Sequence, residues 1–512
     1  MQTDISTSLD LNAIIGEVIQ YTQAKGVIVD KEAAIFLSKQ ENYEEIIQIA
    51  IKQKESFLDL KKVEAIILKS SSDLNITYDN KTNISNLEVV VENRAKRKEA
   101  KEYDAKIKII KDADVTNNAT GQGKVSDFVD YQKERYAILS NFIKKHSGFS
   151  PVASSGIKYS SKGVEIDVIG MFYEKRETKS GNLLAVFDDS AGFFNVIFDK
   201  NKPISAQARR LLDDDVIGIK GVKIDDRLIY ASEIIFPDMP VAVPKKIDLD
   251  LDIAFTSDIH LGSKMFFEKQ FSNFIDWLSN GEDSSKIKYL AIAGDVVDGI
   301  GVYPQQDEEL AMKDIYKQYE VLSSYIEKIP DYIEVFIISG NHDAVRRADP
   351  QPAIPKEYVK KLYSLKNVHV LGSPSVAEVE GLNLLMYHGN SMNDIQPKLG
   401  LSFSEPIPAM EAYLLRRDLA PIYGGKNPIS PDVGGFLQIK EEPDIFVTGH
   451  LHSNGYGTYK RTTLINPGTW QDQTSFQKQQ GHMPTPGRVP LLNFKSGKII
   501  EKVFISENKQ QV

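Results

Sequence analysis

Asp258 and His260 form a D-x-H pair that follows an apolar, strand-like run ending at Phe255. In an extended chain, residues i and i+2 project to the same side, so this carboxylate and this imidazole can converge on one cation. Taken alone, the pair also fits a surface aspartate beside a hydrogen-bonded histidine. The choice between these interpretations depends on whether residues further along the chain can complete a metal site.

Four later motifs, each preceded by an apolar run, supply matching polar residues. They are G-D-V-V-D-G at 294–299, G-N-H-D at 340–343, H-G at 388–389 and G-H-L-H at 449–452. The carboxyl ends of strands form the ligand crevice of open α/β sheets, and the flanking glycines permit sharp turns close to a substrate. One such motif fits a polar loop, but five in this order predict a shared site.

The available side chains limit which ions this site can hold. The chain has eight histidines, of which five lie in the motifs, and no cysteine. Nitrogen and oxygen ligands without sulfur suit Mn, Fe, Zn or Mg, and a shared aspartate can hold two ions about 3.5–4 Å apart. We expect two divalent ions, with Mn as the first expectation. Surface or hydrogen-bonded core positions are predicted for the other histidines, which are His146, His369 and His482.

Composition excludes several classes of protein. A chain of 512 residues predicts several domains, and a net charge of −9 argues against coating nucleic acid by bulk charge. The absence of cysteine excludes disulfides and thiolate metal sites. No apolar run reaches the about 18 residues of a membrane span, and the N-terminus has no apolar leader. We therefore expect a cytoplasmic protein with no membrane partner.

The elements that must position the motifs fall into four predicted regions. Residues 1–75 have apolar residues at helical spacing and predict a helical docking domain, and the polar residues 76–125 predict a flexible linker. Residues 126–245 predict a helix and five short strands that suit an OB-type β-barrel. Residues 246–512 alternate strand, loop and helix. The predicted fold class is multidomain α/β (α+β).

Two of these regions carry features with alternative interpretations. The basic cluster at 94–101 could touch nucleic acid, but interleaved acidic residues favour a solvated tether. Aromatic residues of the barrel could stack single-stranded bases, fill the core or form a protein interface. Because the barrel region is not basic, a protein interface is slightly favoured over the stacking of single-stranded bases. The aromatic candidates are Phe172, Tyr173, Phe193 and Phe194.

In their order, the five motifs resemble those of the calcineurin-like metallophosphoesterases over roughly the C-terminal half of the chain. The resemblance implies two packed sheets flanked by helices and two metal ions that share Asp295. By motif, the first ion would be held by Asp258, His260, Asp295 and His452, and the second by Asp295, Asn341, His388 and His450.

The same resemblance implies in-line hydrolysis of a phosphodiester, with both ions neutralising charge in the transition state. His342 would stay off the metals and act as general acid or transition-state stabiliser near the leaving oxygen. Asp343 would lie behind His342 and set its tautomer and basicity, and Asp298 would support the metal ligands from outside.

More specific stretches resemble the small subunits of archaeal family D DNA polymerases. Protein phosphatases of the superfamily typically carry Arg and Glu where this chain has Gly299 and Asp343, which disfavours that class. The resembling stretches include F-T-S-D-I-H-L-G-S at 255–263, A-G-D-V-V-D-G-I-G-V-Y-P at 293–304, L-L-R-R-D-L-A-P-I-Y-G-G at 414–425 and T-P-G-R-V-P at 485–490.

That resemblance implies a proofreading 3′–5′ exonuclease within a DNA-directed DNA polymerase, which acts on a DNA 3′ end beside a large catalytic subunit. The related eukaryotic B subunits have lost metal ligands, whereas every ligand position is filled here. Two alternatives stay open, namely a stand-alone repair nuclease or phosphodiesterase and a catalytically silent scaffold subunit.

Basic residues near the motifs could contact DNA phosphates. The alternative for each is ordinary solvated surface or contact with the partner subunit. The candidates for DNA contact are Arg346, Arg347, Arg416 and Arg417, and Lys460 and Arg461 follow the last motif.

Overall fold

The computed structural model describes residues 99–505 without a gap and, before them, residues 18, 21–22, 25, 27–30, 33–34, 37, 43–52, 57–59 and 62–63. The chain divides into two units, residues 1–93 and residues 94–512. Within the described ranges, helices are all too short or too polar to cross a membrane.

Among its described residues, the first unit contains the helix α1 (Tyr43–Lys52) and a parallel pair of short strands, β1 (Ile28–Val29) and β2 (Phe57–Leu58). Further helical residues are at 18, 21–22, 33–34, 37 and 62–63. The helix buries Ile46 and Ala50, because residues four apart share a helix face. The strand pair was not expected in the helical docking domain predicted for residues 1–75. Residues 76–98 of the predicted linker lie outside the described residues.

The second unit begins with a segment that joins a sheet. Strand β3 (Ile107–Ile109) pairs antiparallel with β13 (Ser375–Val379), between short 3₁₀ turns at Glu99–Glu102 and Lys111–Ala113. A flexible linker was expected to reach residue 125, so the structure differs here. Ile107 and Ile109 pack on the core while Lys108 faces solvent, an alternation that the polar composition of the segment concealed.

The next block is a closed five-stranded barrel in the order β4-β5-β6-β8-β7. Helix α2 (Val125–Lys144) precedes it, and the short helices α3 (Ser154–Ile157) and α4 (Ile204–Arg209) pack against it. A five-stranded barrel is therefore confirmed for this region. Its strands are β4 (Glu165–Glu177), β5 (Leu183–Asp189), β6 (Gly192–Phe198), β7 (Val216–Asp225) and β8 (Leu228–Ile235).

The four aromatic candidates of the barrel separate into two pairs. Phe172 and Phe194 are buried and fill the barrel core. Tyr173 and Phe193 are exposed, and their rings meet edge to face with centroids 5.7 Å apart. Only the second pair is available for stacking with bases or for a protein interface.

A two-sheet domain follows the barrel. The first sheet has the order β12-β11-β10-β9-β18-β19, and its four strands β9 to β12 run parallel. These parallel strands read as apolar runs because both of their faces are covered. The strands are β9 (Asp252–Thr256), β10 (Ile287–Ile292), β11 (Glu334–Ile338), β12 (Val368–Leu371), β18 (Arg488–Asn493) and β19 (Ile499–Val503).

The second sheet has the order β16-β17-β15-β14-β13-β3 and packs face to face on the first. Phe255, Ala291 and Phe336 of the first sheet meet Leu384 and Val447 of the second in one buried cluster. The strands beyond β3 and β13 are β14 (Leu382–Met386), β15 (Ile445–Val447), β16 (Gly455–Tyr459) and β17 (Thr462–Asn466).

Helices cover the outer faces of both sheets, which gives the α/β two-sheet layering expected from the sequence. Asp314 caps one of them by accepting hydrogen bonds from the Tyr316 and Lys317 backbone amides. Helices α5 (Glu268–Asn280) and α7 (Ile315–Ile326) lie outside the first sheet, α8 (Met392–Leu399) and α9 (Pro406–Arg416) lie outside the second, and α6 (Gln306–Glu309) and α10 (Ser475–Gln480) are short.

Candidate metal centre

The five motifs occupy loops at the carboxyl ends of five strands, β9, β10, β11, β14 and β15. The strands of both sheets end on the same side, so the loops meet in one crevice. All seven side chains predicted as metal ligands converge there. Asn341 and His450 are partly buried, and the other five are buried, namely Asp258, His260, Asp295, His388 and His452.

Five of the convergent residues have left-handed backbone conformations. The φ angles are 50° at Asp258, 51° at His260, 50° at Asp295, 71° at His450 and 57° at His452. Such conformations cost about 1–3 kcal/mol each for residues other than glycine and cluster at functional sites. The surrounding fold therefore holds these loops in strained shapes that set the directions of the side chains.

Adjacent glycines make room for the carboxylates. A Cβ atom at Gly449 would lie 2.6 Å from Oδ2 of Asp258, and one at Gly340 would overlap the carboxylate of Asp295. Such contacts are impossible for a larger residue without movement of the acid. The glycines of G-H-L-H and G-N-H-D are thus needed for close packing against the two central aspartates.

The first predicted ligand group is compact. Nε2 of His260 lies 2.9 Å from Nε2 of His452 and 3.8 Å from carboxylate oxygens of both Asp258 and Asp295. Nε2 of His452 lies 3.4 Å from Oδ1 of Asp258. Ligands about 2.1 Å from a tetrahedral or octahedral ion lie about 3.0–3.4 Å from one another. The spacing is therefore close to that of one coordination shell.

The second predicted group surrounds the other side of Asp295. Nε2 of His388 lies 3.2 Å from Oδ2 of Asp295, and Nδ1 of His450 lies 2.8 Å from Oδ1 of Asn341. The rings of His388 and His450 are neighbours, with centroids 5.3 Å apart. The carboxylate of Asp295 lies beside His260 of the first group and His388 of the second, which fits the bridging position predicted for it.

His388 supplies the clearest evidence that a cation fits. Its Nδ1–H donates to the backbone carbonyl oxygen of Ala293 at 2.7 Å, so Nε2 presents a lone pair. That buried Nε2 has no hydrogen-bond partner of acceptable geometry among residues 99–505, although the Asp295 carboxylate faces it. Two acceptors that face each other away from water need a proton or a metal ion between them.

Asp298 fixes the tautomer of His260 from outside the ligand groups. Nδ1–H of His260 donates to Oδ1 of Asp298 at 2.9 Å, which leaves Nε2 free to bind an ion. Asp298 is held in turn by the side-chain amides of Gln306 and Gln471, at 3.2 and 3.1 Å. Sequence reasoning did not identify either glutamine, although Gln471 directly follows the stretch I-N-P-G-T-W at 465–470.

The electrostatics of the centre favour charged pairs. Burial opposes ionisation of Asp258, but the neighbouring His260 and His452 rings outweigh it and hold the pKa of the carboxyl well below its usual range. Burial likewise opposes a charge on His260, yet the nearby Asp258 carboxylate and the hydrogen bond to Asp298 raise its pKa to about 10. The nearby Asp295 carboxylate raises the pKa of buried His388 to about 9. The carboxylates therefore stabilise positive charge in the centre, whether on the histidine rings or on a bound cation.

His342 lies beside the ligand groups, and its support differs from the prediction. Its Nδ1–H donates to the backbone carbonyl oxygen of Asp298 at 2.8 Å. Asp343 instead accepts from the Gly340 amide at 2.8 Å and from the Tyr319 hydroxyl at 3.1 Å. The expectation that Asp343 sets the tautomer of His342 is therefore wrong, because its carboxylate bonds the Gly340 amide and the Tyr319 hydroxyl of α7 instead. Burial and the charge of Asp295 raise the pKa of Asp343 to about 7.

Arg416 and Arg417 do not reach toward the crevice. Arg416 is buried and donates to the buried carboxylate of Asp215 in the barrel block at 2.7 Å. Arg417 is also buried, and it pairs with Glu442 and donates to the carbonyl oxygen of Pro237. The prediction of DNA contacts is wrong for both in this fold, since their guanidinium groups connect the barrel block to the two-sheet domain.

The other basic candidates differ in how much of their charge is available. Arg346 pairs with buried Asp432, Lys460 with Asp238, and Arg461 with Asp444. Arg347, by contrast, is exposed and makes no ion pair with residues 99–505. Arg347 is therefore the cation near the G-N-H-D loop with most freedom to meet a phosphate.

The three histidines outside the motifs have the ordinary roles expected for them. His146 is exposed, and Nε2 of His369 lies 2.9 Å from the Glu334 carboxylate. The ring of His482 stacks on Phe403 with centroids 4.7 Å apart. None of the three belongs to a metal-type cluster within the part of the chain that the structure describes.

Comparisons with known proteins agree with the geometry. The calcineurin-like phosphoesterase family matches residues 251–454. The DNA polymerase II small subunit of Methanocaldococcus jannaschii is 39% identical over 407 residues, which cover 77% of this chain and 68% of that protein. The small subunit of Archaeoglobus fulgidus is 39% identical over 437 residues, which cover 83% of this chain and 87% of that protein. The small subunit of Methanothermobacter thermautotrophicus is 38% identical over 404 residues, which cover 76% of this chain and 82% of that protein.

The two family resemblances expected from the motifs are thereby confirmed. The phosphoesterase match spans the β9-to-β15 part of the fold and ends after the G-H-L-H motif. The matches to the small subunits are about twice as long as the phosphoesterase match. The chain belongs to the family of DNA polymerase II small subunits and carries a calcineurin-like phosphoesterase domain.

Proposed function

We propose that this chain is the proofreading 3′–5′ exonuclease subunit of a two-subunit DNA polymerase. The observation that carries the proposal is the convergence of all seven predicted ligand side chains in one buried crevice at the strand ends. A silent scaffold has no need for five strained ligand backbones, or for a buried histidine nitrogen that faces a carboxylate without a well-formed hydrogen bond among residues 99–505. These features support an active centre.

Two divalent ions fit this centre, with Mn²⁺ as the proposed ion and Fe, Zn or Mg as others with overlapping ligand preferences. One ion would be held by Asp258, His260 and His452, and the other by Asn341, His388 and His450. Asp295 would be a ligand of both ions. When bound, the ions supply activation of the attacking water and neutralisation of charge on the phosphate.

His342 is proposed to handle the proton of the leaving oxygen. Its Nδ1–H is held by the Asp298 carbonyl oxygen, so Nε2 is the ring atom that can hold and release a proton. The ring is largely buried with 14% of the side chain exposed, which keeps its orientation fixed while leaving one edge accessible. The Asp298 carbonyl thus positions the ring for proton transfer.

The partner and the substrate follow from the family. The relatives are named as small subunits of DNA polymerase II, which supports a large catalytic subunit as the partner of this chain. A DNA 3′ end is the proposed substrate, and exposed Arg347 beside the G-N-H-D loop is the proposed phosphate contact.

An exonuclease assay on single strands and on 3′-mismatched duplexes tests the proposal. Strands labelled at the 5′ or at the 3′ end are incubated with the purified chain, with and without its large subunit, across a Mn²⁺ titration. We expect Mn²⁺-dependent release of the 3′ label as mononucleotide and a ladder from the 5′ label. Internal cuts would indicate a repair-type nuclease, and inertness at every Mn²⁺ concentration would indicate a scaffold; either result would overturn the proposal.

A further inference from the structure

The two histidines of the G-H-L-H motif turn different ring nitrogens toward the metal centre. His450 presents Nδ1, which lies 2.8 Å from Oδ1 of Asn341. His452 presents Nε2, which lies 2.9 Å from Nε2 of His260 and 3.4 Å from Oδ1 of Asp258. The nitrogens that face away from the centre are therefore Nε2 of His450 and Nδ1 of His452.

Each of these outward nitrogens meets a primary amide. Nδ2 of Asn393, on helix α8, lies 2.8 Å from Nε2 of His450. Nε2 of Gln477, on helix α10, lies 2.8 Å from Nδ1 of His452. The two amides come from segments about eighty residues apart in the sequence and approach the motif independently. Both are partly buried, so each contact is sheltered from competing water.

We propose that Asn393 and Gln477 are positioning residues of the metal centre, which hold His450 and His452 in the ligand tautomer through their amide oxygens. The inference rests on the metal centre of the proposed function. A ring nitrogen that binds a metal must offer its lone pair, so the other nitrogen carries the hydrogen and needs an acceptor. An amide nitrogen cannot accept that hydrogen, whereas the oxygen of the same amide, turned by 180°, can.

The two amides differ in which hydrogen bonds a 180° rotation of the amide group would break. Oδ1 of Asn393 makes no hydrogen bond with residues 99–505, so rotation of this amide breaks only its present contact. Oε1 of Gln477 accepts from the backbone amide of Thr474 at 3.1 Å, and the Gln477 backbone amide donates to Oγ1 of Thr474 at 3.2 Å. This reciprocal pair is a capping box at the start of α10.

When His452 binds a metal ion, two donors therefore compete for the single side-chain oxygen of Gln477. The hydrogen on Nδ1 of His452 and the first turn of α10 both need Oε1 of Gln477, so ligation by His452 and the start of this helix are linked. A carboxylate at the same position has two oxygens and can satisfy both donors at once. Substitution by glutamate should therefore support His452 at least as well as the native glutamine.

Calorimetric titration of the full chain with Mn²⁺ tests the proposal without any measurement of activity. Loss of an outer partner typically weakens metal affinity about 10–100-fold. We expect Gln477→Leu to weaken one of the two Mn²⁺ sites by that factor and Asn393→Leu to weaken the other. The double variant should weaken both. Gln477→Glu and Asn393→Asp should retain or exceed wild-type affinity.

The matched control is Gln473→Leu, which lies in the same segment and donates to the His482 carbonyl oxygen but touches none of the ligands. It should bind Mn²⁺ as the wild type does. Gln477→Met keeps the side-chain length and replaces Gln477→Leu if thermal unfolding shows that the latter is not folded. Wild-type affinity in both apolar variants at Gln477, or equal loss in Gln477→Leu and Gln477→Glu, overturns the proposal.

The calorimetric test of the positioning role and the exonuclease assay can fail independently of each other. If the wild-type chain binds two Mn²⁺ ions and the variants behave as expected, but no 3′ nucleotide is released, the positioning role stands and the exonuclease proposal fails. If nucleotide is released while the apolar variants bind both ions normally, the reverse holds.

Discussion

Nδ1 of His342 donates to the backbone carbonyl oxygen of Asp298, 2.8 Å away, while the carboxylate of Asp298 accepts from Nδ1 of His260 at 2.9 Å. One residue thus orients both the proposed acid and a proposed metal ligand. Because backbone and side chain act on different rings, the two functions of Asp298 can be separated by mutation.

Replacing His342 by alanine should remove proton transfer but leave the metal ligands intact. We expect His342→Ala to lower the hydrolysis rate by about 10²–10⁴-fold, the usual contribution of a general acid. Mn²⁺ binding, followed by calorimetry, should be unchanged. His369→Ala is the control, since that histidine pairs with Glu334 away from the crevice. Full activity of His342→Ala would mean that another group carries the proton.

Removing the Asp298 carboxylate should affect the metal centre first. Asp298→Ala leaves the backbone contact to His342 available but deprives His260 of its acceptor. We expect the Mn²⁺ affinity of one site to fall about 10–100-fold, as for other outer partners of metal ligands. Asp314→Ala, which removes the cap of α7 and no hydrogen bond to a proposed metal ligand, is the control for a general loss of stability. Unaltered Mn²⁺ affinity in Asp298→Ala would show that His260 needs no such support.

Metal uptake should release protons below pH 9. The pKa values of about 10 for His260 and about 9 for His388 lie above the ordinary 6.5. At neutral pH and without metal, both rings are therefore protonated on both nitrogens and carry a positive charge. Each ion must displace one of these protons. Mn²⁺ affinity should therefore rise with pH up to about 9–10.

Calorimetry at pH 7.5 in buffers of different ionisation enthalpy measures these protons, and we expect about one proton released per ion. The raised pKa values also stabilise the folded chain in the absence of metal. That contribution is fully present below pH 6.5 and is lost as the pH rises through 9 and 10. A Mn²⁺ affinity that does not change between pH 6.5 and 9 would contradict the assignment of both rings as ligands.

Arg416 should contribute to stability and not to DNA affinity. Arg416→Ala leaves the buried carboxylate of Asp215 without its partner, and breaking a buried ion pair in this way typically costs about 3–5 kcal/mol. Chemical denaturation should show that loss of unfolding free energy. Arg347→Ala, at an exposed position, should leave stability unchanged. Weakened DNA binding by a stably folded Arg416→Ala chain would restore the DNA-contact interpretation.

The sequence was sufficient to locate the centre because metal chemistry leaves a signature in residue type and spacing. Asp258, Asp295 and His388 each follow an apolar strand, and parallel strands bring such positions to one edge. The partners of these ligands left no comparable signature. Gln306 at the start of α6 and Gln471 in the segment before α10 hold Asp298. An isolated glutamine looks the same in sequence whether it faces solvent or a buried acid.

Burial was the second quantity that residue types did not reveal. Arg416 and Arg417 look like a phosphate-binding pair in sequence, but Asp215 and Glu442 neutralise them inside the molecule. Asp215 lies 201 residues from Arg416 along the chain and Glu442 lies 25 residues from Arg417, so their effect is visible only after folding. The same reason explains why Asp343, adjacent to His342 in sequence, faces Tyr319.

The most direct test of a two-ion exonuclease centre counts Mn²⁺ ions and released nucleotides on the same preparations. Asp295 is the residue shared by both ligand groups, so Asp295→Asn should affect both ions. We predict two Mn²⁺ per wild-type chain with release of the 3′-terminal nucleotide, and loss of both properties in Asp295→Asn. Release of the 3′ nucleotide by Asp295→Asn at the wild-type rate, or a wild-type chain that binds no Mn²⁺, would contradict such a centre.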